Sequence, residues 1–320
     1  MGGADRPGSA PARARALRTA LVALLCVLLV ACTPQGGGSS TSTPAADRDT
    51  VAAASTTIVI TTGGVERRFT LRSPAHAPGE VLPVVVGLHG AGGNAATFEK
   101  ATGLSNNIAV LRYIAVFPDG TSFDGDHRAW NAGTCCAVTA LGNVDDVGFV
   151  AAMLDVIVAD HDADPRRLYL AGFSNGGMLA YRVACELGSR VAGIAVVGGA
   201  LNVSSCVSPE PVPLLIVHGT SDQVVPFDGG VPRVPLADGM SPWQNASVST
   251  AVETWTSRNG CGATSQLTTD GTVRRRLYTG CAAGSFVDVY DIVGGGHSWP
   301  IGHGSLDTTD TVLTRFIGSR

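Results

Sequence analysis

Apolar residues in this chain fall into short runs of two kinds that alternate along its length. Leu82–Leu88 is a continuous apolar run closed by His89-Gly90, the pattern of a strand buried on both faces. Residues 113–117, 167–170, 191–197, 212–217 and 286–290 are similar short runs. Residues 56–61 and 66–71 instead alternate β-branched and polar positions around Gly63-Gly64, which predicts an antiparallel hairpin. Between the runs, residues 147–158, 177–187 and 248–257 carry apolar positions at helical spacing. The first of these follows Asp145-Asp146, an acidic pair that favours a helix N-terminus. Eight candidate strands with helices in the gaps predict an α/β fold: a mostly parallel eight-stranded sheet with helices on both faces.

The first residues follow a different pattern. Arg6, Arg13, Arg15 and Arg18 precede an apolar run over 20–30, too short to span a membrane comfortably. It ends in Leu29-Val30-Ala31-Cys32, which resembles the lipobox of bacterial lipoproteins, where the cysteine is lipidated and becomes the new N-terminus. The expected organisation is a lipoprotein signal peptide over 1–31, a flexible tether over 32–50 rich in Gly, Ser, Thr and Pro, and one domain over 51–320. The protein is then extracellular and membrane-anchored only through lipid on Cys32. Composition suits a well-buried domain, with 45% hydrophobic and 15% charged residues. Residues 1–31 hold four arginines and one aspartate, so the remainder carries 18 basic against 25 acidic residues, a net charge of −7. No basic patch stands out, which argues against a nucleic-acid partner; a monomer is expected.

Besides Cys26 and Cys32, the cysteines are Cys135, Cys136, Cys185, Cys206, Cys261 and Cys281, an even set in an exported chain. Disulfides are the natural expectation. Zinc is not, because no CxxC pair answers another. Asp124-Gly125-Asp126-His127 has the look of a cation loop but lacks the longer ligand spacing of a calcium site, so no metal is expected.

The chemistry centres on Gly172-Phe173-Ser174-Asn175-Gly176, placed between a strand run and a helix. A strand entering a helix through G-x-S-x-G forms a nucleophile elbow, whose tight turn lifts the serine hydroxyl above the sheet. Serine needs a base, and the base needs a carboxylate to fix its tautomer. Asp222 lies just past the 212–217 run, and His297 follows the last strand in Gly294-Gly295-Gly296-His297. The order Ser174, Asp222, His297 is the one this turn calls for. Asp288 and Asp291 are weaker candidates for the acid, and His303 for the base. His89 and His218, in strand-end His-Gly pairs, suit hydrogen bonding to loop backbone better than base duty. His76, His127 and His161 read as surface or loop residues. An oxyanion hole is expected from the amides of Asn175 and Ala91, the latter within His89-Gly90-Ala91-Gly92-Gly93-Asn94. Trp130 and Trp299 are candidate walls for an acyl or aromatic group.

Together with Trp130-Asn131-Ala132-Gly133, Val144-Asp145-Asp146-Val147-Gly148-Phe149, His218-Gly219-Thr220-Ser221-Asp222 and Gly296-His297-Ser298-Trp299-Pro300, these motifs resemble the polyhydroxybutyrate depolymerase and feruloyl esterase family of α/β-hydrolases. The resemblance spans roughly residues 80–300. It implies a one-domain secreted serine esterase that needs no cofactor, uses a Ser174, Asp222, His297 triad, and acts on a small or polymeric ester. No separate polymer-docking domain is evident. Acyl transfer to a cell-wall acceptor, prolyl-oligopeptidase-type peptidase activity and a non-catalytic binding role are the alternatives. Strand topology pairs Cys185 with Cys206, and Cys261 brackets a short segment with Cys281. That leaves Cys135 and Cys136 to each other or to partners elsewhere.

Overall fold

The computed structural model describes residues 50–123, 125, 127–135, 142–235, 243–262, 265–301 and 306–318. The expected signal peptide and nearly all of the tether, with Cys32, fall outside these, as do Cys136, Asp124, Asp126 and His303. Among the described residues, no helix is long and apolar enough to cross a membrane, and no cluster of His, Cys, Asp and Glu could hold a metal ion.

The main strands are β1 (Ala54–Thr62), β2 (Val65–Ser73), β3 (Leu82–Leu88), β4 (Ile114–Pro118), β7 (Ala163–Phe173), β8 (Gly193–Val197), β9 (Leu214–Gly219), β10 (Ser265–Asp270), β11 (Val273–Tyr278) and β12 (Val287–Ile292). They form one sheet in the order β1-β2-β4-β3-β7-β8-β9-β12-β11-β10. The centre, from β4 to β12, is parallel, while the pairs β1–β2, β2–β4, β10–β11 and β11–β12 are antiparallel. Two short strands, β5 (Thr121–Ser122) and β6 (Arg128–Ala129), make a separate hairpin.

The sheet is ten-stranded, not eight-stranded as the hydrophobic pattern predicts. The two extra strands are β10 and β11. In β11, Arg274, Arg275 and Arg276 stand where apolar residues would signal a strand. Their partners are acids on β12: Arg275 pairs with Asp288 at 2.8 Å and Arg276 with Asp291 at 3.0 Å. Charge pairing replaces hydrophobic alternation there, so the period-2 signal vanishes.

The described helices of eight or more residues are α1 (Ala95–Thr102), α3 (Asp146–Asp160), α4 (Asn175–Glu186), α5 (Val248–Arg258) and α6 (Thr308–Phe316); α2 (Ile108–Leu111) is a single turn. Residues alternate between two cores along β3: Val84, Val86 and Leu88 join the core that also holds α3, α4 and α5, whereas Val85 joins the one that holds α1 and α6. Caps set the helix starts. Asn94 accepts from the Thr97 amide at the head of α1, and Asp145 accepts from the Gly148 amide at the head of α3. Disulfides join Cys185 to Cys206 and Cys261 to Cys281, the pairs expected from the sequence. The loops they close, 21 and 20 residues, are each worth about 3 kcal/mol by restricting the unfolded chain.

One buried ion pair ties β2, next to the edge strand, to the helical layer. Arg67 of β2 donates to Asp146 at 2.6 Å and stacks on the Phe149 ring at 4.0 Å. The other Asp146 oxygen accepts from the Asn131 amide at 2.6 Å. Burial raises the Asp146 carboxyl above its ordinary value despite Arg67, the Asn131 amide and Arg182. Removing one partner strands the other charge in a dry site, so Asp146→Ala is expected to lower unfolding free energy by about 3–5 kcal/mol, measured by urea titration.

Candidate active site

Strand β7 runs directly into α4 through Ser174, whose backbone adopts φ 53° and ψ −121°. Few L-residues tolerate that conformation, so packing around it must hold it. The Ser174 amide donates to Val197 O at 2.8 Å, and its carbonyl accepts from Met178 N at 2.9 Å. The turn is so tight that a Cβ on Gly172 would lie 2.3 Å from Gly176 O, and one on Gly176 would lie 2.2 Å from Leu88 O. Only glycine fits at either place, which is the physical content of the motif.

The next two candidate residues arrive on neighbouring strand ends. β9 and β12 are parallel partners, and the loops that follow them are stitched together. Thr220 N donates to Ile292 O at 2.9 Å, Ser221 N to Gly295 O at 2.8 Å, and Gly294 N to Thr220 Oγ1 at 2.9 Å. The result brings His297 Nδ1 within 2.7 Å of Asp222 Oδ2. A carboxylate only accepts, so Nδ1 carries the proton and Nε2 is left as the basic nitrogen. The imidazole packs on the Phe173 ring, 4.8 Å between centroids, directly beside the elbow. Gly198 leaves it room: a Cβ there would meet His297 Nδ1 at 3.3 Å.

Asp222 is buried at 2% exposure. Its Oδ1 accepts from the amides of Val224 and Val225, both at 2.8 Å. Burial pushes its carboxyl up, but hydrogen bonds from His218 and His297, the His297 charge and the Val225 amide outweigh it, leaving the group well below the usual carboxylate range. Asp222 therefore stays ionised wherever an imidazole can act as a base. Asp288 and Asp291 lie apart from this pair. Asp288 is held by Arg275 and by Arg315, the latter at 3.0 Å, and Asp291 by Arg276.

The loop after β3 closes on the elbow from the other side. A Cβ on Gly90 would meet Ser174 Cβ at 3.3 Å and the Phe173 ring at 3.2 Å. Ala91 is exposed, and no acceptor among the described residues takes its amide or that of Asn175. His89 anchors the loop. Its Nε2 accepts from Gly120 N at 3.0 Å, so Nδ1 carries the proton and donates to Gly90 O at 2.8 Å. Burial lowers its pKa to about 4.

Trp130 is not a substrate wall, which corrects the expectation from sequence. It is 0% exposed, and its indole N–H donates to His89 O at 2.8 Å. Its backbone pairs in both directions with the buried Asn175 side chain, at 2.7 and 3.0 Å. Trp130 thus braces the first turn of α4 against the loop after β3. Trp299 is half-buried, edge-on to Phe98 at 5.5 Å, and donates to Thr309 Oγ1 at 3.0 Å. One residue at the site was missed from sequence, and one was read only in part. Phe173, the variable position inside the elbow motif, supports the imidazole. His218 makes the loop-backbone bond expected of it, to Val225 O at 2.8 Å, and also comes within 3.4 Å of Asp222, which the turn after β9 folds back toward it.

With this geometry in place, the relatives can be weighed. The Esterase PHB depolymerase family model matches residues 68–208. The NocK protein of Nocardia uniformis subsp. tsuyamanensis is 30% identical over 282 residues, covering 80% of each chain. The chain belongs to the Esterase PHB depolymerase family. Feruloyl esterase B of Piromyces equi is 27% identical over 238 residues, 72% of this chain but only 42% of that protein. Among solved structures, the acetyl xylan esterase from Aspergillus awamori superposes with a TM-score of 0.57 at 13% identity, covering 82% of this chain and 99% of its own. That likeness is one of fold, the α/β-hydrolase fold. This family member is a carboxylic ester hydrolase by its kinship with named esterases.

The buried neutral His89 has a consequence for acid stability. Its pKa is lowered from 6.5 to about 4, so its contribution is complete above pH 6.5 and is lost as pH falls toward 4. The loss amounts to about 3 kcal/mol. Urea unfolding at successive pH values is expected to show a smaller fall over this interval in His89→Gln than in the parent.

Proposed function

We propose that this esterase cleaves carboxylic esters by way of an acyl-enzyme on Ser174, with His297 as general base and Asp222 as the acid that orients it. The observation that carries the reading is the 2.7 Å contact from His297 Nδ1 to Asp222 Oδ2 beside the strained Ser174 turn. His297 Nε2 takes the Ser174 proton as Oγ attacks the ester carbonyl. The tetrahedral oxyanion is held by the amides of Ala91 and Asn175. His297, now an imidazolium steadied by Asp222, passes its proton to the departing alcohol. In the second half, His297 deprotonates a water that attacks the acyl carbonyl, and the carboxylic acid leaves with Ser174 regenerated.

The similarity to a feruloyl esterase and the family's description support aromatic acyl, acetyl or hydroxyalkanoate esters as substrates. No cofactor enters this chemistry. The N-terminal pattern supports export as a lipoprotein, with residues 1–31 removed and Cys32 carrying the lipid. In Cys32→Ala, mass spectrometry of the cell-associated protein is expected to find no lipid-modified N-terminus.

Ser174→Ala is expected to reduce hydrolysis of a short p-nitrophenyl ester by about 10³-fold or more, and to abolish labelling by a fluorophosphonate. Its circular dichroism spectrum is expected to match the parent. Retention of most activity in this variant would refute the assignment. Asp222→Asn is expected to lower kcat by about 10³–10⁴-fold, because the amide favours the wrong imidazole tautomer.

A further inference from the structure

Asp222 has two histidines on one oxygen. His297 Nδ1 lies 2.7 Å from Oδ2, and His218 Nε2 lies 3.4 Å from the same atom. His218 Nε2 also lies 2.8 Å from Val225 O, within the turn whose amides hold Asp222 Oδ1. Both of its neighbours only accept, so Nε2 must carry a proton. His218 Nδ1 is buried and has no hydrogen-bond partner, so a second proton there would be stranded. The donor proton of the ring therefore sits on Nε2. Phe227 meets it edge-on at 5.8 Å. Its strand register places it opposite Asp291, which Arg276 holds at 3.0 Å with Arg274 at 3.9 Å. Asp222, His297, Asp291 and these two arginines are the charged or titratable groups around it.

We propose that His218 is a positioning residue for the acid: its Nε2–H, hydrogen-bonded to Val225 O and 3.4 Å from Asp222 Oδ2, holds that oxygen by its positive edge and draws charge away from the atom that His297 uses. The inference rests on the reading of Asp222 as the catalytic acid. Amides hold only Oδ1, which leaves the carboxylate free to pivot about that atom. Oδ2 is the oxygen that faces the imidazolium, and its attraction to His297 rises and falls as the proton arrives and departs. His218 gives Oδ2 a donor that does not change through the cycle. A histidine serving only to tie down the loop would be satisfied by Val225 O, and its loss would leave the proton affinity of the base untouched.

Asn and Gln separate these roles, because an Asn amide reaches only to the Nδ1 position of histidine while a Gln amide reaches Nε2. His218→Asn is expected to lower kcat about tenfold with KM changed less than about twofold. Losing the shared donor leaves more charge on Oδ2 for the imidazolium, so the acidic limb of kcat/KM should move up by about half a pH unit. His218→Gln is expected to restore most of both. A folded His218→Asn with the parent's kcat and pH profile, or a His218→Gln that recovers neither, would overturn the proposal. Should His218→Asn fail to fold, His218→Met, which fills the site without a donor, takes its place: the same loss of kcat and upward shift of the acidic limb are expected, and the parent's values in it would sink the proposal. Full activity in Asp222→Asn instead marks failure of the underlying acid assignment.

Discussion

The backbone of Ser174, at φ 53° and ψ −121°, is the constraint on which the site depends. Such a conformation costs on the order of 1–3 kcal/mol and persists only where its surroundings fix it. Here the amide is tied to β8 through Val197 O and the carbonyl opens α4 through Met178 N. Backbone from β3, β7 and α4 meets at distances that exclude any Cβ, with Leu88 O 2.2 Å from where one on Gly176 would stand. The apolar runs of the parallel strands make this possible. They bury the sheet on both faces, and a rigid sheet can hold one strained residue at its carboxyl edge.

Around that turn the polar groups are fixed in pairs and not left to solvent. Asn175 and the Trp130 backbone exchange two hydrogen bonds, Trp130 reaches His89 O, and Asp146 holds Asn131 next door. Each would be expensive to leave unmet in a dry interior, and satisfied they specify a single arrangement. A chain of such pairs runs from Arg67 on β2 to the first turn of α4. The Cys185–Cys206 disulfide sits at the far end of that helix, about 15 Å along its axis from Ser174. It braces the helix without entering the chemistry.

Much of this was legible in the sequence because hydrophobic burial and glycine sterics leave local signatures. The run Leu82–Leu88 coincides with β3, and the glycines around Ser174 announce the turn that the structure contains. The adjacency of Asp222 and His297 followed from their strand-end positions and their order after the Ser174 motif. Where long-range pairing decided the outcome, the signal was absent. β11 is a strand because Asp288 and Asp291 neutralise its arginines, and nothing within residues 273–278 encodes those partners. Trp130 looked like a pocket wall because an aromatic beside Gly-rich loops fits one; only its bonds to His89 and Asn175 show it to be a brace. Phe173 was hidden by the motif itself, which specifies nothing at that position.

Asp222 and His297 differ in how firmly they are held, and under the proposed mechanism that difference matters for turnover. Asp222 is wholly enclosed, with amides on one oxygen and imidazoles on the other. Among the described residues, His297 is held by the carboxylate and the Phe173 ring, and its side chain keeps 16% exposure. A general base must carry a proton from the serine to a leaving group and later draw one from water, so it needs freedom to tilt. The carboxylate needs the reverse, since any drift would weaken the imidazolium at the moment it forms. Under the proposed mechanism the Ala91 and Asn175 amides, backbone groups on the loop after β3 and at the start of α4, complete the division by meeting charge as it develops.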